Sequence, residues 1–278
     1  MPNLIPITNL STTWSKPMAQ PVKSAVRNWV LKRNYYGTIR KSMAFNGLFL
    51  VMSAKIIEEP AYRDHVSVFR DRFEAGRLLA DKLRKYSGKR NVIVLAVPAG
   101  GVPVGYTVAK GLDVPLDVVV VRKVQIPWAT EAGFGAVTWD GKIFLNKGLV
   151  KQLGLTEEEI KTAVLETQRN IHERLRKFRG VKPMPNLTEK IVMLVDDGLA
   201  SGFTMLAAAR SVREKAPKKI VVAVPTASLG AIELLASEVD EIVCLNIRSG
   251  HSFAVAEAYE NWHDLTDEEV LKILSEGN

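Results

Sequence analysis

The sequence predicts an α/β fold: a parallel doubly wound sheet with helices on both faces. Two observations carry that prediction. Short runs rich in Val and Ile recur at 91–98, 115–123, 190–197, 218–225 and 241–246, and each is apolar on both sides, as a strand covered by helices on both faces must be. Helical patterns lie between them at 102–111, 203–215 and 228–236, the alternation expected of right-handed βαβ units.

Taken from the amino terminus, residues 1–51 carry seven basic residues, no acidic one and no sustained periodicity. Three explanations stay open: an organellar transit peptide, a disordered basic arm, or a start-site artefact with Met52 as the true initiator. The net charge of +8 is concentrated there, leaving 31 basic against 30 acidic residues in the rest. A body so close to neutral argues against a nucleic-acid-binding surface. The apolar stretch at 43–52 is too short to span a membrane, which takes about 18 residues or more. The single cysteine, Cys244, excludes an internal disulfide and fits a reducing, cytoplasmic setting.

The segment 68–83 is the first helical pattern, with Phe69, Phe73, Gly76, Ala80 and Leu83 on one face. A later helix opens on a capping box, Thr156 with Glu159, and presents Ile160, Ala163, Thr167, Ile171 and Leu175 as an apolar face. It reads as scaffold. The four histidines, His65, His172, His251 and His263, lack metal-ligand spacing.

The chemistry concentrates in LVDDGLASGFTM at 194–205. In a doubly wound sheet, ligands sit beyond the carboxyl ends of the strands, where the preceding run places Asp196 and Asp197. The residues that follow lead into a helix start whose backbone N–H groups, with the hydroxyls of Ser201 and Thr204, suit a phosphate monoester. Carboxylates beside such a cup would repel a bare phosphate, but they accept hydrogen bonds from the vicinal hydroxyls of a sugar. The combination reads as a ribose 5-phosphate site. A plainer reading is an Asp-rich turn followed by a helix capped by Ser201. A Walker loop is excluded, because Phe203 stands where its lysine would be.

Residues 192–204, VMLVDDGLASGFT, resemble the 13-residue signature of the type I phosphoribosyltransferases. The resemblance extends over about 66–276 and is strongest to an uncharacterised subgroup of predicted phosphoribosyltransferases. It implies ribose hydroxyl contacts at Asp196 and Asp197, and 5′-phosphate contacts at Ala200, Ser201, Gly202, Phe203 and Thr204. The loop VPAGGVP resembles the pyrophosphate loop, at Ala99, Gly100 and Gly101, with Ala99 where the subgroup has arginine. Arg122 and Lys123, at the expected end of the second strand, are candidates for the missing cation. Residues 123–134 resemble a mobile lid, in which no role is assigned to Glu131, and 247–265 an acceptor hood in which Phe253, Tyr259 and Trp262 could stack on a base.

The resemblance thus implies one catalytic domain over 52–278. It would transfer a 5-phosphoribosyl group from phosphoribosyl pyrophosphate to a nitrogenous base in nucleotide salvage, releasing pyrophosphate. Magnesium would ride on the pyrophosphate, with no direct protein ligand, and a homodimer is common in such a family. The competing expectation is a regulator of RNA or DNA that senses the same compound without turnover. Ala99 and the basic first 51 residues favour it, and the near-neutral body opposes it.

Overall fold

The computed structural model describes residues 54–250 and 252–276, together with the backbone of three short strands before them: β1 (Val30–Arg33), β2 (Ile39–Phe45) and β3 (Leu48–Leu50). These pair antiparallel with one another, and β2 reaches the main sheet through Ile39 opposite Ile56. The expectations of a transit peptide, disordered arm or start-site artefact otherwise lie outside the described residues.

The main sheet is parallel from β4 (Lys55–Ile57) onward and includes β5 (Val92–Ala96), β6 (Leu116–Val118) and three strands from later in the chain. These are β10 (Ile191–Val195), β11 (Lys219–Ser228) and β12 (Glu241–Arg248), and the spatial order is β4-β12-β11-β10-β5-β6. β4 is a strand the sequence reading did not identify, because three residues are too few to show a period.

Alternate residues of each central strand feed opposite layers. Val192, Leu194, Ile220 and Val222 pack under α5 (Phe203–Arg213) and α6 (Leu229–Leu235). Met193, Val195, Val221 and Ala223 pack under α1 (Arg72–Lys82) and α2 (Gly101–Leu112). Phe73 is a correction to the expected apolar face of α1. It is 40% exposed, and the buried face is carried by Ala75, Gly76, Leu79 and Ala80.

A second correction concerns the run at 115–123. It is not one strand: β6 ends at Val118, and the chain then leaves the parallel sheet for a separate antiparallel one, because its partner β5 ends at Ala96. That sheet comprises β7 (Val121–Ile126), β8 (Ala129–Thr138) and β9 (Ile143–Leu145). Residues 123–134, which resemble a mobile lid loop, lie in a hairpin, with Arg122 and Lys123 inside β7 opposite Val137 and Ala136. The hairpin is followed by α3 (Lys147–Leu153) and by α4 (Glu157–Arg179), whose capping box at Thr156 and Glu159 is formed. A third apolar cluster joins the hairpin, α4 and the final helix α7 (Asp267–Glu276) to Ala99 and Val102.

Candidate active site

The strand order reverses direction between β5 and β10: from β5 the chain winds outward to β6, and from β10 it winds the other way to β11 and β12, beyond which the earlier strand β4 lies. This is the position at which an open α/β sheet leaves a crevice at its carboxyl edge. Two loops leave the strands there. Val97 N–H donates to Val195 carbonyl oxygen at 2.8 Å, which continues the pairing one residue past β5 and brings 98–101 against 196–197.

The approach is close enough to require glycine. A side chain on Gly100 would overlap the Asp197 carboxylate, and one on Gly101 would lie 2.7 Å from Val195 carbonyl oxygen and 2.9 Å from Asp196 Cα. The peptide between Pro98 and Ala99 is cis. Ala99 itself is half-buried and packs toward the third cluster.

Asp197 is held from three directions. Arg72 Nε donates to its Oδ2 at 2.8 Å, its own N–H donates to Asp196 Oδ1 at 2.9 Å, and the Tyr259 hydroxyl donates to its carbonyl oxygen at 2.6 Å. Arg72 is itself pinned, with Nη1 donating to His263 carbonyl oxygen at 2.9 Å and its guanidinium 3.8 Å from the centre of the Trp262 ring. Burial drives the carboxyl groups of both aspartates above the usual carboxylate range. Asp196 rises furthest because the Asp197 charge adds to the effect of burial, while Arg72 opposes the rise at Asp197. Each such carboxylate gains from a hydroxyl donor placed in the crevice.

The following loop is fixed to the neighbouring strand. Leu199 N–H donates to Thr226 carbonyl oxygen, Ser228 N–H to Leu199 carbonyl oxygen, and Ser228 Oγ to Ala200 carbonyl oxygen at 2.6 Å. Gly202, with φ +73° and its Cα face against Ala231, rather than Ser201 is the N-cap of α5, and Ser201 Oγ accepts from Phe203 N–H at 3.4 Å from one residue before it. Ala200 and Ser201 are exposed, and Phe203 and Thr204 half-buried, around a helix start whose first turn suits an anion.

The segment after β12 covers this loop. Val255 lies where any side chain on Gly198 would fall, 2.5 Å away, and Phe69 N–H donates to Ala258 carbonyl oxygen at 3.0 Å. Tyr259 departs from the expectation of base stacking. It is 4% exposed, packed between Phe69 and Trp262, and burial raises its hydroxyl above the ordinary tyrosine range, so it stays a donor to Asp197. Phe253 and Trp262 are half-buried, Phe253 beside the Arg248 guanidinium.

The structure therefore brings Gly100, Gly101, Asp196, Asp197 and the 200–204 loop to one crevice. Arg122 and Lys123 belong to the hairpin instead. Arg122 is half-buried and feels the charges of Arg174 and Asp267, and Lys123 is exposed. The residue that sequence reasoning missed is Arg72. Its signal was available, since a cation in the first turn of a helix opposes the helix dipole and calls for another partner.

A doubly wound sheet carrying paired acids and an open helix start at its switch point defines an α/β protein whose ligand crevice lies at the carboxyl edge of the sheet. Residues 141–258 match the phosphoribosyl transferase domain family. Two Mycobacterium tuberculosis sequences, from strains CDC 1551 and H37Rv, named "Putative phosphoribosyl transferase" MT0597 and Rv0571c, are each 38% identical over 209 residues. That is 75% of this chain but 47% of theirs, so the chain spans about half the length of these curated relatives. The crystal structure of TT1426 from Thermus thermophilus superposes with a TM-score of 0.62 at 36% identity, covering 75% of this chain and 98% of that one. The chain belongs to the phosphoribosyltransferase family.

Proposed function

We propose that the protein transfers a 5-phosphoribosyl group from phosphoribosyl pyrophosphate to a nitrogenous base, in nucleotide salvage and in the cytoplasm. The observation that carries this reading is the contact of Gly100 with Asp197, which sets the pyrophosphate-type loop directly on the acidic pair. Asp196 and Asp197 accept hydrogen bonds from the 2′ and 3′ hydroxyls, and Ala200 to Thr204 hold the 5′-phosphate at the start of α5. The anomeric carbon then lies between the two loops. There its bond to the diphosphate oxygen breaks, the electron pair leaves with pyrophosphate, and a ring nitrogen of the base forms the new bond with inversion and loses its proton. No protein nucleophile is needed; positioning and stabilisation of the departing charge supply the catalysis.

Magnesium fits as an ion delivered with the diphosphate. The Asp197 carboxylate is already engaged by Arg72, which leaves the diphosphate oxygens as the hard donors for the ion. When bound, the ion neutralises leaving-group charge. The hairpin of β7 and β8 is the proposed lid that excludes water from a reactive ribosyl centre, and 247–265 the proposed hood over the acceptor, with Phe253 and Trp262 the aromatic candidates. No helix among the described residues is long and apolar enough to cross a membrane.

The test is a phosphorus NMR time course with magnesium, phosphoribosyl pyrophosphate and a pool of nucleobases. New monophosphate and pyrophosphate signals that require one base support the transferase and name its acceptor. Ligand-induced shifts without base-dependent turnover would favour the sensing regulator instead.

A further inference from the structure

A groove of about 550 Å³ opens between the end of α4, the connection 180–188, the turn after β8 and the end of α5. It stands at the opposite edge of the sheet from the crevice, since Thr188 comes before β10 and Lys215 follows α5. The 11 residues of α5 put roughly 17 Å between the 200–204 loop and the groove, at about 1.5 Å per residue. The volume is that of a small-molecule site.

The walls divide by chemistry. Trp139 and Met184, both half-buried, pack against the cluster beneath α5 and also line the groove, so they offer an occupant an aromatic ring and a polarisable thioether. The lining carries three cations, Arg179, Lys182 and Lys215, against one acid, Asp140. Because α4 and α5 both end here, their dipoles draw cations to the groove, and two of the three are engaged locally. Arg179 is buried and paired with Asp117, and its Nη2 donates to Pro183 carbonyl oxygen at 2.7 Å. Lys215 Nζ is 3.1 Å from Asp140 Oδ2, while Asp140 Oδ1 accepts from the hydroxyls of Thr138 and Ser211, each at 2.6 Å. Lys182 is exposed and has no ion-pair partner among the described residues. On the same connection, Asn186 Oδ1 accepts from Thr188 N–H at 3.0 Å, which leaves the amide NH2 to donate.

An apolar, aromatic wall with one uncommitted cation at its rim matches a planar heterocycle that carries an anionic group. A carboxylate alone would not use the ring, and an uncharged base would leave Lys182 unpaired. We propose that this groove is a second ligand site, separate from the crevice, for a purine mononucleotide. The base lies on Trp139 and against Met184, Asn186 donates to an acceptor on the base or sugar, and the phosphate meets Lys182. The proposal goes beyond the phosphoribosyl reading and does not depend on it.

Calorimetric titration of the full chain with adenosine and guanosine 3′,5′-cyclic monophosphates tests it. These compounds keep a purine ring and one anionic charge but lack the phosphate monoester and vicinal diol assigned to the crevice. At least one is expected to bind one-to-one, and an excess of ribose 5-phosphate is expected to leave that binding unchanged. Lys182→Glu, on the surface, is expected to weaken it about tenfold or more through the lost charge-assisted contact. Trp139→Leu is expected to weaken it about tenfold, the scale of one lost stacking contact, and Lys182→Glu stands as the independent test if Trp139→Leu does not fold. Displacement by ribose 5-phosphate, unchanged affinity in either folded variant, or a Kd above about 1 mM for both compounds would overturn the groove as a site. Ribose 5-phosphate titrated alone reports separately on the crevice, so failure there and failure of the groove are told apart.

Discussion

Replacing Gly100 with alanine tests the packing on which the active-site reading depends. The new methyl group is fixed to the backbone and falls within the Asp197 carboxylate, so the carboxylate has to move. It can do so only by turning away from Arg72, whose side chain is 7% exposed and whose Nε sits 2.8 Å from Oδ2. Overpacking alone costs about 1–3 kcal/mol, and separating a largely buried ion pair about 3–5 kcal/mol. Partial relaxation of the loop places the expected loss at about 3 kcal/mol, or roughly 6–12 °C in Tm for a domain of this size.

Activity should fall further than stability requires, because a carboxylate displaced by about 1 Å from its substrate can cost roughly a hundredfold in rate. The assays are thermal denaturation and kcat/KM for phosphoribosyl pyrophosphate. A coupling measurement sharpens the outcome: in an Asp197→Gly background, which removes the obstructing carboxylate, Gly100→Ala should be nearly silent in Tm. If the single variant melts and turns over like the parent, or costs as much in the Asp197→Gly background, the contact does not organise the site.

Arg72→Met should destabilise the protein by about 3–5 kcal/mol, since it strips the partner from a buried carboxylate; chemical denaturation measures it, and a loss under about 1 kcal/mol, the scale of an exposed pair, would mean that Arg72 does not support Asp197. Thr204→Val should weaken ribose 5-phosphate by roughly tenfold at constant Tm, in keeping with one lost hydrogen bond to a charged group, and equal affinity would count against the cup. Both aspartates have carboxyl groups raised by burial, Asp196 the more so. The folded protein therefore holds more protons than the unfolded chain just above the ordinary value of 3.8, and this part of the stability is lost as pH rises through the folded value. The difference in unfolding free energy between the parent and Asp196→Asn should accordingly shift against the parent as pH rises from about 4. A flat difference curve would refute the assignment.

What could be read from the chain and what could not divide along sequence distance. The central strands were legible because a run such as IVMLV is apolar at every position, which only a strand covered on both sides tolerates. The hairpin was not, because the apolar run that ends β6 continues without a break into β7 and hides the point where pairing with β5 stops. The alternation of buried and exposed positions through VRKVQI was the overlooked sign of a strand with one wet face. In the crevice, the acids, glycines and hydroxyls are local in sequence and chemically peculiar together. Arg72 meets Asp197 across 125 residues, and Tyr259 across 62, so no spacing rule could link them. Tyr259 shows why residue type alone misled: the same flat ring suits a nucleobase or a core. Its burial beneath the acidic pair, with its hydroxyl on the Asp197 backbone, makes it a support for the carboxylates rather than a surface for the acceptor.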